Sequence, residues 1–312
     1  MDISMDGLQN IEVIGLGQAC FDFLGQIPYF PNEDTKIEIT DLHMQCGGPV
    51  ASALTVLARF GISSSFIGSI SDDYFGIEIL NSLRSESIDT TLLKITPGLT
   101  SQFAFISINN KNGNRNIFWK RSSAPFLVTD EIDLSPYRNA RFLHLDGLMT
   151  EASIAAAKQA KKMGIKVVID AGTLREGFLD LISFADVLIT SEKFAESVSN
   201  TNIFKPESLI EKLKELSSAD TIIITMGPRG SIGMFKDNIN IQPAFKINAV
   251  DTTGAGDVYH GAYIYGLIMD WDMSACMRFA SAVSALKCKH VGVKNSIPTL
   301  KEVKKFMDSY DF

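Results

Sequence analysis

Cysteine is scarce and poorly spaced for metal binding or cross-linking: Cys20, Cys46, Cys276 and Cys288 form no C-x-x-C pair and do not cluster with His43, His144, His260 or His290. That spacing excludes a zinc framework and a disulfide-stapled scaffold, and predicts buried free thiols in a reducing compartment. An excess of basic charge is also missing. With 29 Lys and Arg against 36 Asp and Glu, the net charge is −7, which argues against a nucleic-acid partner. No apolar run approaches the roughly 20 residues a membrane span needs. The start of the chain, Met1-Asp2-Ile3-Ser4-Met5-Asp6, has no basic segment leading into an apolar one, so it does not read as a signal peptide. No Pro/Gly/Ser linker, repeat or low-complexity tract divides the sequence. The expectation is a single cytoplasmic α/β domain over residues 1–312, long enough to bury its core without a staple.

What the sequence does contain is alternation. Short β-branched runs at Ile11 to Leu16, Ser65 to Ile70, Arg141 to Leu145, Lys166 to Asp170, Val187 to Thr190 and Thr221 to Thr225 read as buried strands. Helical patterns lie between and after them: Pro49 to Phe60, Asp73 to Ser85, Thr150 to Met163, Glu207 to Leu216, Gly256 to Met269, Asp272 to Lys287 and Pro298 to Met307. This order predicts a mostly parallel central sheet with helices on both faces. Two segments depart from it. Lys36 to Gln45 carries spaced apolar residues, and Gln102 to Ile108 turns through an Asn/Gly-rich stretch into Asn116 to Lys120, a hairpin signature. Together they predict a small antiparallel β lid formed by roughly residues 26–46 and 101–121.

The chemistry concentrates in Asp251-Thr252-Thr253-Gly254-Ala255-Gly256-Asp257, read as following a strand from Asn240 to Val250 and opening an apolar helix. A helix N-terminus offers unsatisfied N–H groups and a positive dipole end, and small residues let a phosphate approach them. Asp257 then stands where a carboxylate could take a proton from a substrate hydroxyl. A plainer alternative is that Asp251 and Asp257 cap a tight turn whose glycines serve only its backbone. Gly15-x-Gly17-x-x-Cys20 lacks the third glycine of a dinucleotide fingerprint and is not read as one.

The Asp251 to Asp257 stretch resembles the C-terminal signature of the ribokinase-like, or PfkB, carbohydrate kinases, and the resemblance extends over nearly the whole chain. It implies ATP and Mg2+ as cofactors, transfer of the γ-phosphate to a primary hydroxyl of a small sugar such as a ketohexose, Asp257 as base, and an anion hole of Gly254, Ala255 and Gly256. Gly47-Gly48-Pro49-Val50-Ala51-Ser52 is similar to the N-terminal signature, with Ser52 where the family usually has Asn, and Asp22 matches the acidic residue that binds sugar hydroxyls. Thr225-Met226-Gly227-Pro228-Arg229-Gly230 resembles the turn that lies against the nucleotide; a strand-to-strand turn needing glycine explains it equally well. The family's N-x-x-E motif aligns with Ser191 and Phe194, leaving Glu192 as the nearby carboxylate.

Within the family, Gln242 to Lys246, Val258 to Ala262 and Arg278 to Cys288 look like the sulfofructose kinase branch and, more loosely, ketohexokinase. Lys36, Lys120, Arg121 and Arg175 are candidates for contacting an anionic acceptor substituent, against the alternative of ordinary surface charge. Some members of the family use a monovalent cation, K+, which here falls near Asp251 and Thr253, and relatives often pair into homodimers through their lids. A nucleoside kinase with Phe103, Phe105, Phe118 and Trp119 as stacking surfaces, and a non-catalytic nucleotide- or sugar-binding regulator, are the competing readings.

Overall fold

The structure, a computed structural model, describes residues 10–199 and 205–310; Met1 to Asp6, the stretch read for a signal peptide, lies outside them. The chain begins with β1 (Val13–Leu16), β2 (Cys20–Ile27), β3 (Asp41–Gly47), α1 (Pro49–Arg59), β4 (Ser64–Ser71), α2 (Tyr74–Ser85) and β5 (Leu93–Thr96). It continues with β6 (Phe103–Asn109), β7 (Arg115–Lys120), β8 (Phe142–Leu145), α3 (Thr150–Met163), β9 (Lys166–Ala171) and α4 (Phe178–Ile182). Next come β10 (Val187–Ser191), α5 (Glu192–Ser199), α6 (Pro206–Leu216), β11 (Thr221–Thr225), β12 (Ser231–Phe235) and β13 (Asn238–Gln242). The chain closes with α7 (Ala255–Ile268), α8 (Met273–Lys287) and α9 (Leu300–Met307).

Nine strands form one sheet in the order β13-β12-β11-β10-β9-β8-β1-β4-β5, parallel from β11 to β5. Strands such as β1 and β8 are buried along their whole length because helices cover both faces. On one face α1, α7 and α8 share a core around Leu54, Val258 and Val283; on the other, α3 to α6 share a second core around Ala156, Leu181 and Leu213. Asp73 and Asp272, read as the first residues of helices, are their N-caps and accept from the N–H of Gly76 and Ala275.

The strand read from Asn240 to Val250 is corrected. The β12-β13 hairpin, turning at Lys236 and Asp237 with positive φ, ends at Gln242. β12 offers no partner beyond Ser231, which pairs with Gln242, and from Pro243 the chain reaches Asp251 without regular structure. Lys36 to Thr40 likewise form no strand.

A second sheet, in the order β3-β2-β6-β7, is antiparallel at its two outer pairs and parallel between β2 and β6. The hairpin of β6 and β7 occupies the predicted place, and Gly113 in its turn has φ +68°. Unlike the expected boundaries, the sheet includes all of β2, which brings Asp22 into it. β2 and β6 belong to separate excursions of the chain, so no tight turn forces them antiparallel.

Candidate active site

Parallel strands end on one edge of a sheet, and the segments that leave them line that edge. Here β8 leads into Asp146, β9 carries Asp170 one residue before its end, and β10 and β11 end at Ser191 and Thr225. The small sheet stands beside this edge. Gln45 of β3 accepts from Val293 N–H (2.9 Å), and Arg115 at the start of β7 donates to Thr252 Oγ1 (2.7 Å). A cleft of about 500 Å³ lies between, lined by Phe30, Asn114, Arg115, Asn116, Ile117 and Thr252.

Asp257 occupies the first turn of α7, half-buried. Burial, and next the charge of Asp170, push its carboxyl up to about 6, with His260 and Arg115 pulling the other way. Asp22 is 7% exposed and is pushed up to about 6 by burial. Its carboxylate also raises Asp257, so the two charges interact. Gly47 makes room for this arrangement, since a Cβ there would lie 2.3 Å from Asp22 Oδ2. Gly48, with φ +104°, precedes α1 as its cap.

The turn Thr252 to Gly256 divides its amides between tasks. Ala255 N–H donates to the Thr252 carbonyl (3.3 Å), so it is less free than its place in the anion hole implied. The N–H groups of Gly256 and Asp257 have no backbone partner among the described residues, and the space beside Gly256 Cα is open. Gly254 adopts φ +68°, and a Cβ on it would lie 2.3 Å from Val293 Cγ2, so glycine is required there by the fold itself.

Beneath Asp257 runs a buried polar row. His260 Nδ1 is 2.7 Å from the Gly256 carbonyl, and Nε2 is 3.5 Å from Asp170 Oδ1. The His260 ring stacks on His144 with centroids 5.7 Å apart, and burial pushes His144 down to about 3, so that ring is neutral. Asp146, pushed up to about 7 by burial, accepts from the N–H groups of Gln18 and Leu148. The Arg175 guanidinium acts on both Asp146 and Asp170 and offsets part of their burial.

Not every expected residue joins this cluster. The Ser52 hydroxyl is buried and without a partner among the described residues. Lys36 is exposed in the segment between β2 and β3. Lys120 pairs with Phe103, and Phe103 with Phe21, so strand alternation puts it on the face opposite Asp22. Arg121 stacks over Trp119, with 5.5 Å to the ring centroid.

Farther along the edge, Ser191 caps α5, its Oγ accepting from Phe194 N–H (3.1 Å), while Phe194 is buried against Phe178. Glu192 pairs with Arg229, which joins it to the Thr225 to Gly230 turn. In that turn a Cβ on Gly230 would lie 2.0 Å from the Gln242 carbonyl, the turn explanation, whereas Gly227 faces open space.

Arg115, Asp146, Asp170, Gln45 and Lys287 escaped sequence reasoning. A carboxylate at the end of an apolar strand was the available signal for Asp146 and Asp170; for Lys287 it was a lysine at i+4 from Val283 and i+7 from Ala280, on the buried stripe of its helix.

Comparison with known proteins identifies the family. The model of the pfkB family carbohydrate kinases matches residues 10–300. A ribokinase from Haemophilus influenzae is 24% identical over 94% of this chain and 97% of its own. A deoxyribokinase from Salmonella typhimurium is 25% identical over 95% of this chain and 99% of its own. A ribokinase from Arabidopsis thaliana, solved in complex with ribose and ATP, shares the fold with a TM-score of 0.80 at 22% identity, covering 96% of this chain and 99% of that one. Among the described residues no helix is long and apolar enough to cross a membrane. The family match spans nearly all of the sequence and takes in both edges of the cleft: the chain belongs to the pfkB family of carbohydrate kinases, which are phosphotransferases.

Proposed function

We propose that this kinase transfers the γ-phosphate of ATP to a primary hydroxyl of a small sugar, a ketohexose or a related one, with Asp257 as general base. The observation that carries the reading is the start of α7, where the Gly256 and Asp257 N–H groups have no backbone partner among the described residues and the Asp257 carboxylate stands in the same turn, close enough to Asp22 for the two charges to interact. Asp22 accepts from acceptor hydroxyls and fixes which one meets Asp257. Asp257 takes the proton as that oxygen attacks, and the adjacent N–H groups and helix dipole hold the phosphoryl charge. The small sheet is the lid that covers the acceptor and limits transfer to water.

The open flank of Gly256 and the unpartnered amides suit a phosphate, and open Gly227 suits close approach of the rest of the nucleotide. No group of three or more His, Cys, Asp or Glu among the described residues suits a metal on its own. Mg2+ therefore fits as an ion carried mainly by the phosphates, with Glu192 as the neighbouring carboxylate. When bound, the nucleotide and its ion supply the transferred group and neutralise part of its charge. Arg115, tied to Thr252, places a guanidinium beside the same point.

Because Asp257 is pushed up to about 6, it is protonated below that pH and cannot act as a base. kcat/KM should rise through about pH 6 and level off above it. Since Asp22 titrates in the same range, the profile of Asp22→Asn is the control: it should keep this rise if Asp257 causes it. A flat profile through that range would remove Asp257 as the base.

A nucleoside acceptor is the second reading, favoured by Trp119, which alternation places on the Asp22 face and which is 54% exposed. Inhibition of sugar turnover by adenosine would support it. On the opposite face of the lid, exposed Leu42, Met44 and Phe118 suit pairing with a second copy of the chain.

A further inference from the structure

The turn that leads into α7 is built around a buried ion pair. Asp251 and Lys287 are both fully buried. Lys287 Nζ donates to the Asp251 backbone carbonyl (3.0 Å) and stands 3.7 Å from Asp251 Oδ2. The carboxylate is otherwise engaged as well: Thr253 N–H donates to Oδ1 and Gly292 N–H to Oδ2, each at 2.8 Å. The N–H groups of Val250 and Asp251 both donate to the Cys288 carbonyl, which laces the turn to the end of α8.

An alkali ion held here would need several oxygens converging on one point and no positive charge among them. The Asp251 carbonyl already accepts from an ammonium, and both carboxylate oxygens accept from backbone. Thr253 Oγ1, buried and unpartnered among the described residues, is a single neutral oxygen and cannot replace the hydration shell of an ion. An added ion would also sit close to the Lys287 ammonium in a medium of low polarity, where like charges repel strongly. The residues near Asp251 and Thr253 therefore do not fit the K+ that the family resemblance implied. Desolvation pulls the Lys287 ammonium below its ordinary range while Asp251 pulls it back, so the two residues depend on each other.

We propose that Lys287 is the built-in cation of the turn from Asp251 to Gly254, standing where a monovalent metal ion would otherwise be held, so that phosphoryl transfer proceeds without K+. Lys287 is a positioning residue. It neutralises Asp251, fixes the Asp251 carbonyl and thereby sets the path of the backbone into the free N–H groups of Gly256 and Asp257. This role rests on the reading of that helix start as the phosphate site.

The test compares Tm and turnover in equal concentrations of KCl, NaCl and tetramethylammonium chloride. For the unaltered protein, Tm should be the same in all three and kcat should agree within about twofold, because no ion binds the folded state selectively. Lys287→Ala leaves Asp251 buried and uncompensated and opens space for an ion. In tetramethylammonium its kcat should fall by about 10²-fold, and KCl should specifically raise its Tm and restore part of the turnover. A K+ requirement or a K+-specific rise in Tm for the unaltered protein would overturn the proposal. So would a Lys287→Ala variant that is fully active in tetramethylammonium and indifferent to K+. If that variant does not fold, the unaltered protein still decides. The Tm comparison needs no turnover: an unaltered protein that phosphorylates nothing yet shows no K+-specific Tm change would count against the kinase mechanism and for Lys287.

Discussion

Asp257→Asn is expected to lower kcat by about 10³-fold or more while leaving ATP affinity within about threefold, the signature of losing a base without losing the binding site. The substitution keeps size and polarity. It leaves the turn intact, since the bonds that shape it come from Asp251, Thr252 and Lys287 and not from the Asp257 side chain. Removing one of several like charges also relieves Asp170 and Asp22, so the variant should be no less stable. Rapid-quench measurement of the first turnover, with ATP binding followed by calorimetry, separates the two effects. Full activity in this variant would remove the mechanism.

Asp22→Ala should act on the other substrate, raising the acceptor KM by about 10²-fold, the order expected for hydrogen bonds to a charged group, with little change in the KM for ATP. Its stability behaviour is a second, independent sign. A carboxyl whose pKa rises to about 6 on folding favours the folded state most when protonated, and that contribution is lost as pH rises from about 4 through about 6. At pH values above that window Asp22 is a burden to folding, so its removal should not depress Tm there, although a buried side chain is lost. A rise in the KM for ATP equal to that for the acceptor would place Asp22 elsewhere in the reaction.

The parallel sheet and its helices were legible because burial on both faces leaves a continuous apolar run, and capping residues such as Asp73 and Asp272 lie at the helix starts. The turn before α7 was legible too: small residues and an aspartate at a helix start have a local meaning. The second sheet was only half visible. Its hairpin is a local object with its own turn, but the pairing of β2 with β6 joins residues far apart in sequence, and nothing in Cys20 to Ile27 announces the partner. The expected strand from Asn240 to Val250 failed because apolar residues continue past Gln242, where its partner β12 has already ended at Ser231.

Among candidate site residues, the aspartates that the sequence singled out were those inside a motif. Asp146, Asp170 and Arg115 meet only when strand ends and a hairpin converge on one edge, and Lys287 acquires its meaning from a partner 36 residues away. Lys120 failed for a simpler reason: one step along a strand reverses the face.

The most direct test of the central claim is ADP release from Mg2+-ATP across a panel of ketoses, aldoses, sugar phosphates, sulfofructose and nucleosides, with Asp257→Asn run alongside. Strong release is expected with one class of acceptor, with no comparable release in its absence and loss of that release in the variant. ATP binding with no acceptor-dependent ADP release, or release that the variant retains in full, would contradict the proposed mechanism.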